Sequence, residues 1–549
     1  MKINNNIFSI KTILFLCLIV AMFNACDEND TETFEKTRLF RPVLNEDLFA
    51  EGNTIIVNMG KLKSAVSYTI EVSRDTFNTV EYNIPVDTNY VELNANNLGE
   101  ELFWNTIYQV RATAHDADAQ YDSKISDLGG VRTERFPTIL NVPKSYDVTD
   151  VAARVSWTPL GEAVTGMKVF APTDLKLTTP LFSEAPVSNE ENLAGEAFVT
   201  GLESETEYQI AIYSGTTLRG WVNYNTKVAD IDPNGANVID ITDSEDRNAV
   251  SDAINSAPDG AIILVKRGVE FDAPGLQLTK SVTIRAAYGF GKQKATLLFP
   301  SNFDLADGAN IDHVRFVDLE MRGTDWEGKY VINISKTANL NEFSFENCYI
   351  TNFRGIYRQK DNPSVVNNYN INNSIIDSIG GYGLATIDND NATLKNIKIS
   401  NSTINHTIYF LVSKNNVESI NIEDCTIANA PERGRQLFRW RNSSQSNVTN
   451  GITITNTIFG HGWNQTEGET DFAYRGKEGL DDTSFSVSNT FTVNDFSFSS
   501  NEIGEITIGN AGSSQDDLWV DAQNNDFNIK DSGFLGKSSS GDPRWRVKL

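Results

Sequence analysis

The sequence predicts an all-β chain whose C-terminal half is a parallel β-helix. One short phrase recurs there: an apolar residue, a polar residue, Asn or Asp, a small residue, any residue, and another apolar residue. Its third position is Asn347, Asn373, Asn401, Asp424 and Asn456, at intervals of 26, 28, 23 and 32 residues. A period in this range indicates a solenoid, and the β-branched alternation within each unit indicates a strand. A constant phrase at uneven spacing is typical of a β-helix, because the strands must stack whereas the loops between them can vary.

Length and charge narrow the possibilities further. A chain of 549 residues is too long for a single core and favours two to four domains. Its formal net charge of −27 argues against a nucleic-acid partner, because such binders present basic faces. Against this acidic background, any local cluster of basic residues is notable.

Residues 1–26 are predicted to be a targeting segment. Lys2 and Lys11 precede the apolar run 13–23, which is too short to span a bilayer but suits a signal peptide. The Ala25–Cys26 pair resembles the bacterial lipoprotein box, which implies cleavage of the signal peptide and lipidation of Cys26. The acidic stretch 27–30 resembles the export signal of Bacteroidetes surface lipoproteins and implies anchoring on the outer face of the outer membrane. An ordinary signal peptide with an incidental Cys26 is the alternative.

A tether at 27–35 leads into two regions, 36–135 and 136–228, that both read as all-β. In the second, Trp157 lies on an alternating strand, and the segment 202–213 resembles the fibronectin type III signature with Tyr208 at its tyrosine corner. The segment around Tyr108 resembles the same feature less closely. We expect two fibronectin III-like sandwiches that act as spacers, followed by a linker at 229–237.

Residues 238–549 are predicted to form the β-helix and its C-terminal cap. An amphipathic helix over 244–257, with Ser244 as N-cap, would cover the open end of the core. This helix and the strands at 262–265 and 281–286 resemble the right-handed β-helix superfamily of pectate lyases and pectin esterases. The whole arrangement, with its terminal 541–545 segment, resembles a group of Bacteroidetes surface lipoproteins. That resemblance implies a role in the use of pectin-type glycans.

Each repeated phrase leads into a second strand, and these second strands carry basic and aromatic residues. Stacked in register, their outward residues would form one stripe in which Arg358, Arg439 and Arg475 align, with Arg354 beside it and Tyr357 or Tyr409 interleaved. Because arginine pairs bidentately with carboxylates and aromatic rings stack on sugars, the stripe predicts binding of an acidic polysaccharide of the polygalacturonate type. The alternative is an ordinary solvated face, partly neutralised by Asp361, Glu432 and Glu478. The predicted binding residues are Arg358, Lys360, Arg433, Arg435, Trp440, Arg441, Tyr474 and Lys477.

A polysaccharide lyase of the pectate type is the alternative function. Its β-elimination needs a base, for which Arg439 or Arg475 is a candidate. It also needs a group that neutralises the uronate, often Ca²⁺, and Asp361, Asp388 and Asp390 are the candidate ligands. The alternative is that these aspartates are ordinary turn residues with no metal-binding role. The segment 432–435 resembles the arginine motif of pectate lyases only in part, because it lacks the prolines.

Two regular features are interpreted as structural. The Asn/Asp positions are expected to stack at turns and to hydrogen-bond to one another and to the backbone. Cys348 and Cys425 occupy the same repeat position three coils apart, roughly 14 Å at the strand spacing, which is too far for a disulfide.

The sequence therefore predicts a surface-anchored glycan-binding protein, with the lyase as the alternative and a structural or adhesin-like protein as a third class. Expected partners are an acidic polysaccharide, the outer membrane through the lipid anchor, and other glycan-uptake proteins.

Overall fold

The computed structural model describes residues 36–548 except Pro274 and Glu467. The predicted signal peptide, the tether and Cys26 lie outside these residues. The described chain forms two compact units. One contains residues 36–140, 157–192 and 209–222, and the other contains residues 141–156, 193–208 and 223–548. No helix within the described part of the chain is both long and apolar enough to cross a bilayer.

The N-terminal part of the chain is fibronectin III-like. The first sandwich pairs a three-stranded antiparallel sheet with a four-stranded one around a core that includes Ile55, Val57 and Tyr108. The hydroxyl of Tyr108 accepts a hydrogen bond from the backbone N–H of Phe103 at 2.9 Å, which forms a tyrosine corner. Its strands are Phe49–Glu51, Thr54–Asn58 and Tyr90–Leu93 in one sheet, and Tyr82–Val86, Ser67–Ser73, Ile107–His115 and Ser126–Arg132 in the other.

The second fibronectin III-like region repeats this corner. The hydroxyl of Tyr208 accepts a hydrogen bond from the N–H of Glu203 at 2.9 Å, as the sequence signature predicts. Trp157 is 2% exposed, in agreement with its predicted place in a core. The strands are Ala152–Ser156 and Glu196–Thr200 in one sheet, and Ala185–Pro186, Gly166–Phe170, Glu207–Ser214 and Thr217–Asn225 in the other. Two short helices, Ala95–Leu98 and Asn189–Ala194, lie in the N-terminal part of the chain.

The C-terminal part is a parallel β-solenoid, as predicted. Its first face is a ten-stranded sheet in which every pairing is parallel and each strand pairs with the strand of the next coil. The apolar positions of the repeated phrase point inward, so that Phe345, Ile371, Ile399, Ile422 and Ile454 stack along one core. The strands are Val238–Ile241, Ala261–Val265, Val282–Ala286, Asn310–Val317, Asn339–Glu346, Val365–Asn372, Thr393–Ser400, Ser419–Glu423, Ile452–Thr455 and Phe485–Ser488.

Two further faces complete each coil, and they are joined where two long strands bend from one to the other. The second face contains Glu270–Asp272, Ala295–Phe299, Leu319–Gly323, Thr403–Thr407, Thr426–Ala428, Ile458–Phe459 and Phe491–Thr492. The third face contains Tyr330–Ile334, Leu411–Ser413, Gln436–Trp440, Tyr474–Glu478 and Phe498–Ser500. The long strands Tyr349–Gln359 and Ile375–Ile387 belong to both. A short parallel pair, Gln277–Leu278 with Asp304–Leu305, lies next to Tyr330–Ile334 at the start of the third face.

A helix caps the N-terminal end of the solenoid, but it is shorter than predicted. It spans Ala249–Ser256 and buries Val250, Ala253 and Ile254, which is the face that the pattern indicates. The prediction of Ser244 as N-cap is wrong, because the helix begins after Asn248. The Ser244 hydroxyl instead accepts from the N–H of Asp246 at 3.2 Å in the preceding turn.

The recurring Asn/Asp position is explained by backbone conformation. Seven residues form what we call the left-handed row, with φ between 46° and 57°, a region that Asn and Asp enter more readily than other side chains with a Cβ. The backbone N–H of each of the first six donates to a carbonyl of the next coil. Among the described residues, side chains of the row bond to each other only at Asn347–Asp318 and Asn489–Asn456, both 2.9 Å. The predicted bonding between side chains of the row is thus found at two pairs, and the feature that all seven residues share is the backbone conformation. The row is Asp318, Asn347, Asn373, Asn401, Asp424, Asn456 and Asn489.

The terminal segment 541–546 binds back onto this row. Asp542 is 1% exposed, accepts from the Thr403 hydroxyl at 2.7 Å, and its N–H donates to Thr426 Oγ1 at 3.0 Å. Arg544 Nη2 donates to Asn373 Oδ1 at 2.9 Å. The segment is thus a structural clasp. This end of the chain also contains the short helix Gln515–Leu518, the antiparallel pair Trp519–Asp521 and Asp526–Ile529, and 3-10 turns at Gly504–Thr507, Ala522–Asn524 and Pro543–Trp545.

Candidate functional site

The third face of the solenoid carries the predicted basic stripe, and its register is now defined. Arg358 pairs with Thr386, Thr386 with Val412, and Val412 with Arg439 on successive coils. Arg358 and Arg439 therefore share one row, as the sequence predicts, and are separated by three strand spacings, about 14 Å. Arg475 does not share that row. It pairs with Gln436, whereas Arg439 pairs with Glu478, so the prediction that Arg475 aligns with Arg358 and Arg439 is wrong.

Two arginines of one coil lie over a tyrosine of the next coil. The guanidinium carbons of Arg354 and Arg358 are 4.6 and 4.5 Å from the ring centroid of Tyr382, which is cation–π distance. Gly383 allows the Tyr382 coil to lie close against the coil of Tyr409, because its φ is +58° and a Cβ there would collide with the carbonyl oxygens of Tyr409 and Phe410.

A similar arrangement is found on the next two coils, but there the arginine pair lies on the coil after the tyrosine instead of the coil before it. Arg435 and Arg439 lie 5.3 and 5.2 Å from the ring centroid of Tyr409, on the preceding coil. Their Nη1 atoms donate to its hydroxyl at 3.1 and 3.2 Å. Together Arg354, Arg358, Tyr382, Tyr409, Arg435 and Arg439 form what we call the arginine–tyrosine strip, with an arginine pair on each outer coil and a tyrosine on each inner coil.

Carboxylates hold part of the strip in place. Asp388 accepts from Arg358 Nη2 and also pairs with Lys414 Nζ at 2.8 Å. Burial raises the pKa of Asp388, but hydrogen bonds from Lys414 and Arg358 outweigh it and bring the pKa below the usual aspartate value. Glu478 accepts from Arg439 Nε at 3.0 Å, and Glu432 lies 3.3 Å from Arg435 Nε. Among the described residues no carboxylate lies within 4.0 Å of a terminal nitrogen of Arg354.

Three aromatic residues predicted for the surface face the core instead. Trp440 is 2% exposed, and Tyr357 and Tyr474 are both fully buried. The prediction that Trp440 and Tyr474 bind substrate is therefore wrong in this structure. The reason is strand alternation: Arg439 points outward, so its neighbour Trp440 must point inward, and Arg475 and Tyr474 are related in the same way.

The remaining predicted binding residues, and the candidate base Arg475, lie at the margins of the strip. Arg441 and Arg475 are exposed, and Lys477 donates to the carbonyl of Leu480 at 3.2 Å. Lys360 pairs with its neighbour Asp361 at 3.0 Å. Arg433 pairs with Asp471 at 2.6 Å beside Arg435.

The three candidate calcium ligands are not brought together. Asp388 is occupied by Arg358 and Lys414, Asp361 pairs with Lys360, and Asp390 is exposed and accepts from Asn391 at 3.2 Å. Within 36–548, apart from the two residues left out, no group of three or more His, Cys, Asp or Glu side chains is arranged to hold a metal ion. The predicted calcium site is therefore not formed by these residues.

Two tryptophans beside the strip were missed by the sequence interpretation. Trp326 and Trp463 are half-buried, and their ring centroids lie 6.5 Å apart. The N–H of Arg433 donates to the carbonyl of Trp463 at 2.6 Å, which places this tryptophan next to the arginine-rich turn. Both residues lie in loops outside the repeated phrase. Their only sequence signal is the presence of tryptophan in polar, Gly-containing loops.

Comparison with known proteins finds two family models that match parts of the solenoid region. A family model described as "Domain of unknown function (DUF4957)" matches residues 270–407, and one described as "Domain of unknown function (DUF5123)" matches residues 420–545. No curated protein matches the chain. Solved structures that resemble it include the crystal structure of chicken CNTN1 FN1-FN3 domains, with 15% identity and a TM-score of 0.15. That match covers 35% of this chain and 68% of that chain. Neither family description names a ligand or an activity.

Proposed function

We propose that the protein binds an acidic polysaccharide of the polygalacturonate type along the arginine–tyrosine strip. The observation that carries this proposal is the pattern on four successive coils: arginine pair, tyrosine, tyrosine, arginine pair. In a chain of net charge −27, such a concentration of guanidinium groups favours an anionic ligand.

The ligand that fits best is long and carries regularly spaced carboxylates. The two arginine pairs are about 14 Å apart across the coils, so a single small anion cannot contact both. A uronate polymer can present one carboxylate to each pair. The half-buried Trp326 and Trp463 offer ring faces on which sugars stack beside the arginines.

Retention on a polygalacturonate affinity gel tests this proposal. The double variant Arg435→Ala, Arg439→Ala should reduce retention at least tenfold, because charge-assisted pairs are the strong contacts of such an interface. Arg315→Ala is the matched control, because Arg315 is also half-exposed and paired with a glutamate, but on the first face. Equal retention of the double variant and the control would remove the strip assignment.

Sugar stacking is tested separately from charge. Trp463→Ala should weaken retention by about fivefold at every salt concentration, whereas the arginine variants should also flatten the salt dependence. A neutral glucan gel should retain none of these proteins. Strong retention on the neutral gel would contradict an acidic ligand.

A surface polysaccharide lyase is the second candidate function. Exposed Arg475 and strip residue Arg439 remain the candidate bases, but Arg439 is paired with Glu478 and hydrogen-bonded to Tyr409, which favours a binding role. Incubation with polygalacturonate and Ca²⁺, followed by absorbance of the unsaturated product, separates the two functions. Product formation that Arg439→Ala abolishes would replace the binding proposal with the lyase.

We also propose that the protein is attached to the outer membrane at the cell surface through lipidated Cys26, in company with other glycan-uptake proteins. The support is the sequence of residues 1–30 alone. Cys26→Ala should move the protein from the membrane fraction to the soluble fraction and abolish incorporation of labelled palmitate. Membrane association that persists without Cys26 would contradict the anchor.

A further inference from the structure

A second concentration of positive charge lies at the left-handed row, away from the arginine–tyrosine strip. A cavity of about 720 Å³ opens there, within the second compact unit. Its wall includes Asp318, Asn347, Asn373 and Asn401 of the row. None of the six strip residues lines it. We call it the row pocket.

The lining of the row pocket is basic. Its cations outnumber its carboxylates by five to three, in a chain where acidic residues outnumber basic ones by 73 to 46. One of the carboxylates, Asp542, is already buried in the terminal clasp. The cations are Lys227, Arg267, Lys292, Lys294 and Arg544, and the carboxylates are Asp318, Glu346 and Asp542.

One carboxylate serves two of these cations. Asp318 accepts from both Arg267 and Lys294, and Lys294 Nζ also donates to the carbonyl of Asn347 at 2.7 Å. The Nε of Arg267 is buried without a hydrogen-bond partner among the described residues. Arg267 and Lys294 are thus held rigidly in position with one negative charge between them.

Lys227 is the least compensated of the set. It is half-buried, and no carboxylate among the described residues lies within 4.0 Å of its Nζ, which contacts the ring of Tyr288 at 4.9 Å. Burial lowers its pKa; Asp318 opposes this, but Arg267 and Lys294 add to the lowering. A half-buried ammonium group beside other cations is stabilised when an anion joins it.

We propose that the row pocket binds a small oxyanion: a carboxylate, sulfate or phosphate group carried on a molecule of mono- or disaccharide size. Lys227, Lys292 and Arg267 provide the charge, and the side-chain amides of Asn347 and Asn373 line the same wall. The cavity volume lies within the range of ordinary small-molecule sites. This site goes beyond the strip, because the row pocket shares no lining residue with it.

Isothermal titration of the full chain at low ionic strength tests the proposal, with sodium sulfate, sodium phosphate and sodium galacturonate as probes and sodium chloride as reference. At least one of the three should bind saturably at one site. Lys227→Gln should weaken binding by about tenfold, because it removes a charge-assisted contact. Lys336→Gln is the matched control, because this lysine does not line the pocket, and it should bind as the wild type does.

A second variant guards against a folding defect in Lys227→Gln. Lys292 is exposed, so Lys292→Glu should fold normally and still weaken binding by at least tenfold through charge reversal. Tighter binding of galacturonate than of sulfate assigns a sugar acid as the occupant, and binding of sulfate or phosphate alone assigns an inorganic oxyanion. The proposal is overturned if none of the three probes binds saturably, or if Lys292→Glu binds as the wild type does.

The two proposals can fail independently. The strip variant Arg435→Ala, Arg439→Ala should bind the small probes normally while losing retention on polygalacturonate. Lys292→Glu should show the reverse behaviour.

Discussion

The left-handed row and the arginine–tyrosine strip belong to the same solenoid coils but obey different rules. In the row, seven successive coils carry Asn or Asp because each of them makes the same backbone turn with positive φ. Beneath the strip, the residue at one register position changes from Arg358 to Thr386 to Val412 to Arg439 along a single row of paired positions. The fold fixes how these positions pair but places no demand on their chemistry. Residues that repeat strictly from coil to coil therefore reflect the backbone conformation, whereas residues that vary from coil to coil reflect the function of the surface.

The largest effect is expected inside the third face rather than on it. Trp440→Ala should lower the free energy of unfolding by about 3–5 kcal/mol, because it empties a buried site in the solenoid core. Arg441→Ala, at the next and exposed position, should change it by less than about 0.5 kcal/mol. Urea unfolding of both variants measures the difference. If the Trp440→Ala protein has normal stability but no longer binds polysaccharide, Trp440 belongs to the binding surface after all.

Two substitutions of Asn401 separate the contribution of its side chain from that of its left-handed backbone conformation. Asn401→Val should destabilise the protein by about 2 kcal/mol, because a β-branched residue is strained at a φ of 50° and the bond to Asn372 Oδ1 is lost. Asn401→Gly keeps the permitted backbone and should lose only about half as much. Thermal unfolding of the two variants measures both losses of stability. Equal losses would mean that the side-chain bond, and not φ, explains the repeat.

The strip should respond to acid through Asp388. Its pKa is lowered in the folded state, so Asp388 contributes stability above its unfolded pKa, near the ordinary aspartate value of 3.8. That contribution is lost as the pH falls through the folded pKa. Asp388→Asn should therefore be less stable than the wild type at neutral pH, and the gap should close as the pH is lowered below about 4. Melting temperatures over pH 2–7 measure this, with Asp390→Asn, an exposed neighbour, as the control. A constant gap at all pH values would show that the carboxylate charge is not what anchors Arg358.

The smallest effect is expected for the cysteines that directly follow two residues of the left-handed row. Cys348 and Cys425 are buried free thiols, and burial raises the pKa of Cys348 to about 12. Neither should react with a maleimide in the native protein at neutral pH, and both should react in urea. Mass-spectrometric mapping of the labelled peptides reads both sites separately. Labelling of Cys348 in the native state would show that this coil opens.

Much of the fold follows from local patterns. The repeated phrase predicts the solenoid and places Phe345 and Ile371 in its core, because strand alternation and a constant turn leave a periodic mark. The tyrosine corner at Tyr208 is likewise readable, because its bond joins residues only five positions apart in the chain. The start of the capping helix was misplaced, since several polar residues near it can accept the first backbone hydrogen bonds.

The candidate site was less predictable. The choice of Arg358 and Arg439 rested on the coil register and was right in their alignment. Arg475 was misaligned because the loop before its strand differs in length from the others. The sequence predicts Trp440 and Tyr474 within the surface stripe, although alternation beside an outward arginine sends them inward.

By itself, the sequence determined the all-β class, the coil repeat and the arginine-rich second strands, because each of these depends on residues close together in the chain. Only the tertiary structure decided that arginine pairs flank Tyr382 and Tyr409, that Trp326 meets Trp463, and that five cations converge at the row pocket. The physical reason is that these groupings join different coils through loops of unequal length. Neither the path of a loop nor the shift in strand register that it introduces produces a periodic pattern in the sequence.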